Sequence, residues 1–133
     1  MLPDPNQLRA DAQRAQAQAT RSSDAVPRLE AEGRAVAHRV DFVLDTIHDD
    51  VWRGGAARTC RSEAQDRARK LRAIDEHLEG WARVARDTAS NLADQAARDQ
   101  RNAQRVDEHT TACQAAQAMQ PPQPCPAEPV LER

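Results

Sequence analysis

Apolar residues recur in alternating steps of four and three along two stretches of this chain, and two adjacent glycines, Gly54 and Gly55, stand between them. In the first stretch one row runs Leu8, Ala15, Ser22, Leu29, Val36, Val43, and its companion runs Ala12, Ala19, Val26, Gly33, Val40, Ile47. In the second, Ala57, Ala64, Leu71, Leu78, Ala85 and Leu92 form one row, with Cys60, Ile74 and Trp81 adjoining it. This spacing gathers the apolar side chains into one coiled-coil-like stripe on each of two α-helices. Paired glycines between two helical periodicities end the first helix and let the chain reverse. The predicted fold is all-α, a long antiparallel helical hairpin. A turn centred on residues 53–54 sets Ile47 opposite Cys60, Val43 opposite Ala64, Val36 opposite Leu71, Leu29 opposite Leu78 and Val26 opposite Trp81. Farther from the tip, Ala15 meets Leu92 and Ala12 falls near Gln95 and Ala96. Two stripes read separately meet without adjustment.

Proline placement sets the limits of the hairpin. Pro3 and Pro5 open the chain, five more prolines lie beyond residue 120, and only Pro27 stands between. The first helix is expected over residues 5–51, with Asp4 as cap, Pro5 at the first helical position and Gln7 completing a capping box. Pro27 should kink it, with Ser23 or Asp24 recapping a second segment. Residues 52–55 form the turn, and the second helix runs over about 56–119. Residues 120–133 include Pro-Pro-Gln-Pro-Cys-Pro, which cannot be helical and reads as a mobile, polyproline-like tail. Residues 1–119 are thus the hairpin and 120–133 its appendage. Leu29, Val36, Leu71, Ile74, Leu78 and Trp81 are expected to form its core or its interface with a partner.

A partner is called for by composition. The chain has 133 residues, with aromatic residues at 2% and no tyrosine. Alanine is abundant, and that suits closely packed helices and argues against a sheet. Two helices that bury one stripe each seldom offset the entropy of ordering the chain. A second hairpin, from the same or another protein, would complete a four-helix bundle. The formal net charge of −2 gives no electrostatic pull towards nucleic acid or an acidic membrane. Eighteen of the nineteen basic residues are arginine, interspersed with acids as in Glu63, Asp66, Arg67 and Lys70, which describes a solvated mixed-charge face. The Ala and Arg bias suggests a GC-rich genome such as that of an actinobacterium. No apolar run approaches the ~20 residues of a membrane span.

Chemistry-bearing patterns are sparse. His38, His48, His77 and His109 include no i,i+4 pair and belong to no zinc framework. There is no glycine-rich phosphate loop and no nucleophile elbow. The expectation is a non-enzyme with no catalytic residue, metal or cofactor.

Asp4-Pro5 opening an Ala-rich helix, a tip reading Trp52-Arg53-Gly54, and Ala56-Ala57 starting a second helix together resemble the WXG family of small type VII (ESX) secretion substrates. The resemblance covers roughly residues 4–100. It implies a hairpin that pairs as homodimer or heterodimer, engages an export apparatus with its ATPase, and leaves the cell folded without a cleaved signal peptide. Trp52 then serves as a recognition element as well as a plug for the tip, and Gly54 as the residue of positive φ that the turn needs. The chain departs from the family in lacking the Tyr-x-x-x-acid export signal. Either a partner supplies that signal, or the chain is a chaperone-like member not itself addressed for export. The alternative is a cytoplasmic helical adaptor or scaffold unrelated to secretion.

Three cysteines complete the reading. Cys60 and Cys113 on one helix would stand roughly 80 Å apart, far beyond the ~7 Å that a disulfide spans. Cys113 and Cys125 are separated by a proline run where the chain can turn back, so they can pair in an oxidising compartment. Reduced thiols and an intermolecular bond are the other arrangements an odd count allows. Cys60 is expected to be buried opposite Ile47.

Overall fold

A computed structural model describes residues 1–46 and 54–133. Two helices account for its regular structure, α1 over Pro5–Thr46 and α2 over Gly55–Gln117, with no strand among the described residues. They pack against each other as an all-α helical hairpin. Residues 47–53, which include Trp52, lie outside the described residues.

Local chemistry accounts for the helix ends. The Asp4 carboxylate accepts a hydrogen bond from the Asn6 amide at 2.9 Å, and the Asp4 carbonyl accepts the first helical bond, from Leu8, at 3.1 Å. Asp4 is the cap, as the sequence predicts. The reciprocal half of the capping box is not made, because the Gln7 side chain donates forward to Asp11 instead. At the start of α2, Gly54 has φ +104° and its carbonyl accepts from the Arg58 amide at 3.1 Å. The positive φ is the left-handed conformation that glycine adopts without steric cost.

α1 runs through Pro27 without the interruption that recapping at Ser23 or Asp24 would require. Proline removes one backbone donor, the partner of the Ser23 carbonyl. In a helix of 42 residues the remaining bonds and the packed face carry the chain across the gap, so Ser23 and Asp24 lie within the helix and recap nothing.

The chain divides into two units, Met1–Arg21 with Thr88–Arg133, and Ser22–Asp87. In the first, Ala12, Ala15 and Ala96 form a core against which Leu92 packs, and Ala19, Ala103 and Val106 are also buried. The stripe register brings these same core residues of the two helices together. In the second, Val26, Val40, Ala57, Ala68 and Ala82 are buried. Leu29 and Leu78, paired by the same register, line one groove of about 450 Å³ with Gly33, Ala37, Asp75 and Ala82. A Cβ placed on Gly33 would come within 2.8 Å of the Asp75 carboxylate, so a side chain there requires the Asp75 carboxylate to turn away.

The buried row of α2 is not the one that side-chain bulk suggests. Ala68, Ala82, Ala96 and Ala103 are buried, whereas Cys60 is exposed, Ile74 is 48% exposed and Trp81 is 60% exposed. The bulky row lies one residue away, a rotation of about 100° around the helix. An alanine seam lets two helices approach closely and gain dispersion contacts along their length. A seam of Ile and Trp would hold them apart. Val26 is buried as expected, but the Trp81 ring is not buried against it.

Candidate functional site

Two surfaces hold side chains that the hairpin core does not use. The first belongs to the Ser22–Asp87 unit. Ile74, Trp81 and Val84 are 48%, 60% and 63% exposed, and steps of seven and three put them on one face of α2. On the interface side Leu29, Val36, Leu71 and Leu78 are half-buried. A monomeric surface normally scatters its large apolar residues, and a contiguous patch of them marks a contact face. Phe42 on α1, also in this unit, is 67% exposed.

The second surface belongs to the other unit, where the tail that follows α2 lies against that helix. The Gln123 amide donates to the Ala116 carbonyl at 3.0 Å, and the His109 ring nitrogen Nε2 lies 3.1 Å from the Pro126 carbonyl. Arg105 donates to the Val130 carbonyl at 2.8 Å and to the Glu132 carboxylate at 3.0 Å. Arg101 reaches both Glu132 carboxylate oxygens, its shortest contact being 2.7 Å. The side-chain amide of Asn102 donates to the Glu132 carbonyl at 3.0 Å and accepts from the Glu132 amide at 2.8 Å. Asn102 is only 5% exposed, and both halves of its amide are satisfied by one residue of the tail.

Sequence reasoning missed Arg101, Asn102, Arg105 and Glu132. The signal available was an asparagine, a weak helix former, set beside Ala103 and Val106 in an alanine-rich helix, with arginines flanking it. The cysteines are better placed. Cys125 lies within hydrogen-bonding reach of Cys113, although the two thiols are not bonded to each other. Cys113 Sγ is also 3.7 Å from the His109 ring. Among the described residues no three His, Cys, Asp or Glu side chains converge on a metal-sized site.

Electrostatics ties the tail's attachment to pH. The hydrogen bonds from Arg101 hold the Glu132 carboxyl below its ordinary range; burial opposes this, and the charges of Arg101, Arg105 and Arg98 add to it. A lowered carboxyl contributes stability that is present above its ordinary titration range and lost as pH falls through the lowered one. The tail contact should therefore be unchanged from pH 8 to pH 6 and should release on acidification below the usual glutamate range of ~4.3. The NMR shifts of the Asn102 side-chain amide report this; shifts that stay constant down to pH 2 would show that the carboxylate does not hold the tail.

Trp52, the motif residue at the tip, lies outside the described residues, while Gly54 beside it has the positive φ expected of it. No described helix is long and apolar enough to cross a membrane. Comparison with protein-family models, with curated proteins and with solved structures returns no match for this chain.

Proposed function

We propose that this chain acts by protein–protein association, pairing through the Ile74, Trp81 and Val84 face of α2 with a second helical hairpin, a further copy or a related protein, to complete a four-helix bundle. The observation that carries this is the division of labour on α2. Its alanines serve the hairpin, and its largest side chains are left on the outside.

The specific form proposed is a WXG-like type VII secretion substrate or its bundle partner, exported folded in company with that partner. The Trp52-Arg53-Gly54 tip and the left-handed Gly54 support it. The lack of tyrosine favours a second reading, a helical adaptor that stays in the cytoplasm and uses the same face.

Light scattering tests the association. The wild-type chain should be a dimer, or become one on adding its partner, and Trp81→Asp should be monomeric with its helical circular dichroism retained. A wild-type chain that stays monomeric both alone and with the proteins it co-purifies with would end the proposal. Export separates the two forms: Trp52→Ala should abolish secretion from the native host while leaving the partner complex folded. Unchanged secretion would remove the type VII reading and leave the adaptor.

A further inference from the structure

The contacts between the tail and α2 have an unusual distribution. Those of His109 with Pro126, Arg105 with Val130, and Asn102 with Glu132 are made to the backbone of the tail. A single tail side chain, the Glu132 carboxylate, is gripped by guanidinium groups, those of Arg101 and Arg105. Residues 102, 105 and 109 follow helical spacing and share one face of α2. This face recognises an extended backbone with an acid at one position and little else. Val130, which makes one of the backbone contacts, is 85% exposed and contributes almost no side-chain selectivity.

The same contacts are of a kind that exchanges. The side chains of Arg101, Arg105 and Glu132 are 52%, 41% and 29% exposed, and ion pairs this accessible to water contribute little and are screened by salt. The tether adds to this weak anchor: a short linker gives an attached ligand an effective concentration in the millimolar range. Asn102 gives the site its directionality, because a buried amide left without both partners is costly, and the backbone of Glu132 presents both a donor and an acceptor to it.

We propose that the face of α2 formed by Arg101, Asn102, Arg105 and His109 is a docking site for an extended peptide segment bearing a glutamate, and that residues 126–132 occupy it in cis as a built-in competitor. The partner it fits is a segment of another protein with the chemistry of Pro-Val-Leu-Glu: extended, short of hydrogen-bonded structure of its own, and acidic at one position. Such a segment engages once the tail is displaced or its anchor is lost. The site lies in the Met1–Arg21 and Thr88–Arg133 unit and does not depend on the Trp81 face.

The test uses the full chain and a fluorescent peptide with the sequence of residues 126–133, followed by anisotropy. Glu132→Lys reverses the anchor charge and should expel the tail, so the peptide should bind this variant at least about tenfold more tightly than it binds the wild type. Adding Arg101→Ala and Arg105→Ala should remove that binding, and so should a peptide with glutamine at the position of Glu132. Asn102→Ala should do the same if the variant keeps its helical circular dichroism, and the arginine variants decide the matter if it does not. Trp81→Asp should bind the peptide as the wild type does. Equal affinity for wild type and Glu132→Lys, or no binding by the folded Glu132→Lys chain up to about 1 mM peptide, would overturn the proposal.

Discussion

Ala82→Leu is expected to lower the stability of the hairpin by about 1–3 kcal/mol, although it exchanges one good helix former for another and adds apolar surface. Ala82 is 2% exposed and lines the groove shared with Leu29, Gly33 and Leu78. A leucine there adds three carbons at a seam position where the alanine is already buried, so the contacts along the seam must rearrange. Ala68, also 2% exposed, should behave in the same way. The neighbouring change Trp81→Ala, which removes far more apolar surface, should leave the unfolding midpoint of the isolated hairpin nearly unchanged, because its ring is 60% exposed. Thermal unfolding followed by circular dichroism, at a concentration where light scattering finds both variants monomeric, makes the comparison. Ala82→Leu should melt several degrees lower. A Trp81→Ala chain that melts lower than Ala82→Leu would put the bulky row in the seam and the alanine row outside.

That pair of neighbours shows how far the sequence could be read. The hairpin and its register are legible because they depend on period and on turn chemistry. Ala15 with Leu92, Ala12 with Ala96, and Leu29 with Leu78 follow once the chain reverses near Gly54. The row that faces the partner helix is harder to read. A stripe read by side-chain bulk is drawn towards Ile74 and Trp81, and the alanine row at 68, 82, 96 and 103 carries little weight per residue. Its advantage is collective, since small residues shorten the interhelical distance along the whole seam, and no single position announces it. Asn102 and Glu132 were harder still. Their contacts run to backbone groups of an extended segment, and neither a period of 3.6 nor a period of 2 marks a helix that receives a strand-like tail. The Cys113–Cys125 bond that the proline run allows is not formed here, where both thiols are free.

Oxidised glutathione should convert the chain from three alkylatable thiols to one, joining Cys113 to Cys125 and leaving Cys60 free. In the chemistry of this step, the Cys125 thiolate attacks the oxidant and releases one glutathione, then the Cys113 thiolate attacks the mixed disulfide and releases the second. Two electrons and two protons pass in all to the oxidant, which leaves as two glutathione thiols, and the chain loses about 2 Da. The Cys113 thiol is pushed up to about 11, chiefly by the hydrogen bond it shares with Cys125, with burial adding to the effect. Thiolate is the reactive form, so closure should be slow at pH 7 and should accelerate as pH is raised towards that value. Once formed, the bond fixes the base of the tail beside α2, and residues 126–132 return to the Asn102 face whenever they leave it. Oxidation should therefore weaken binding of an added acidic peptide to the Glu132→Lys chain, and reduction should restore it. Exposed Cys60 is the competing outcome, because it favours a bond between two chains. Intact mass with alkylation separates the cases: a covalent dimer sensitive to Cys60→Ser points to the intermolecular bond, and three thiols persisting at pH 9 would show that the Cys113 and Cys125 sulfurs do not meet.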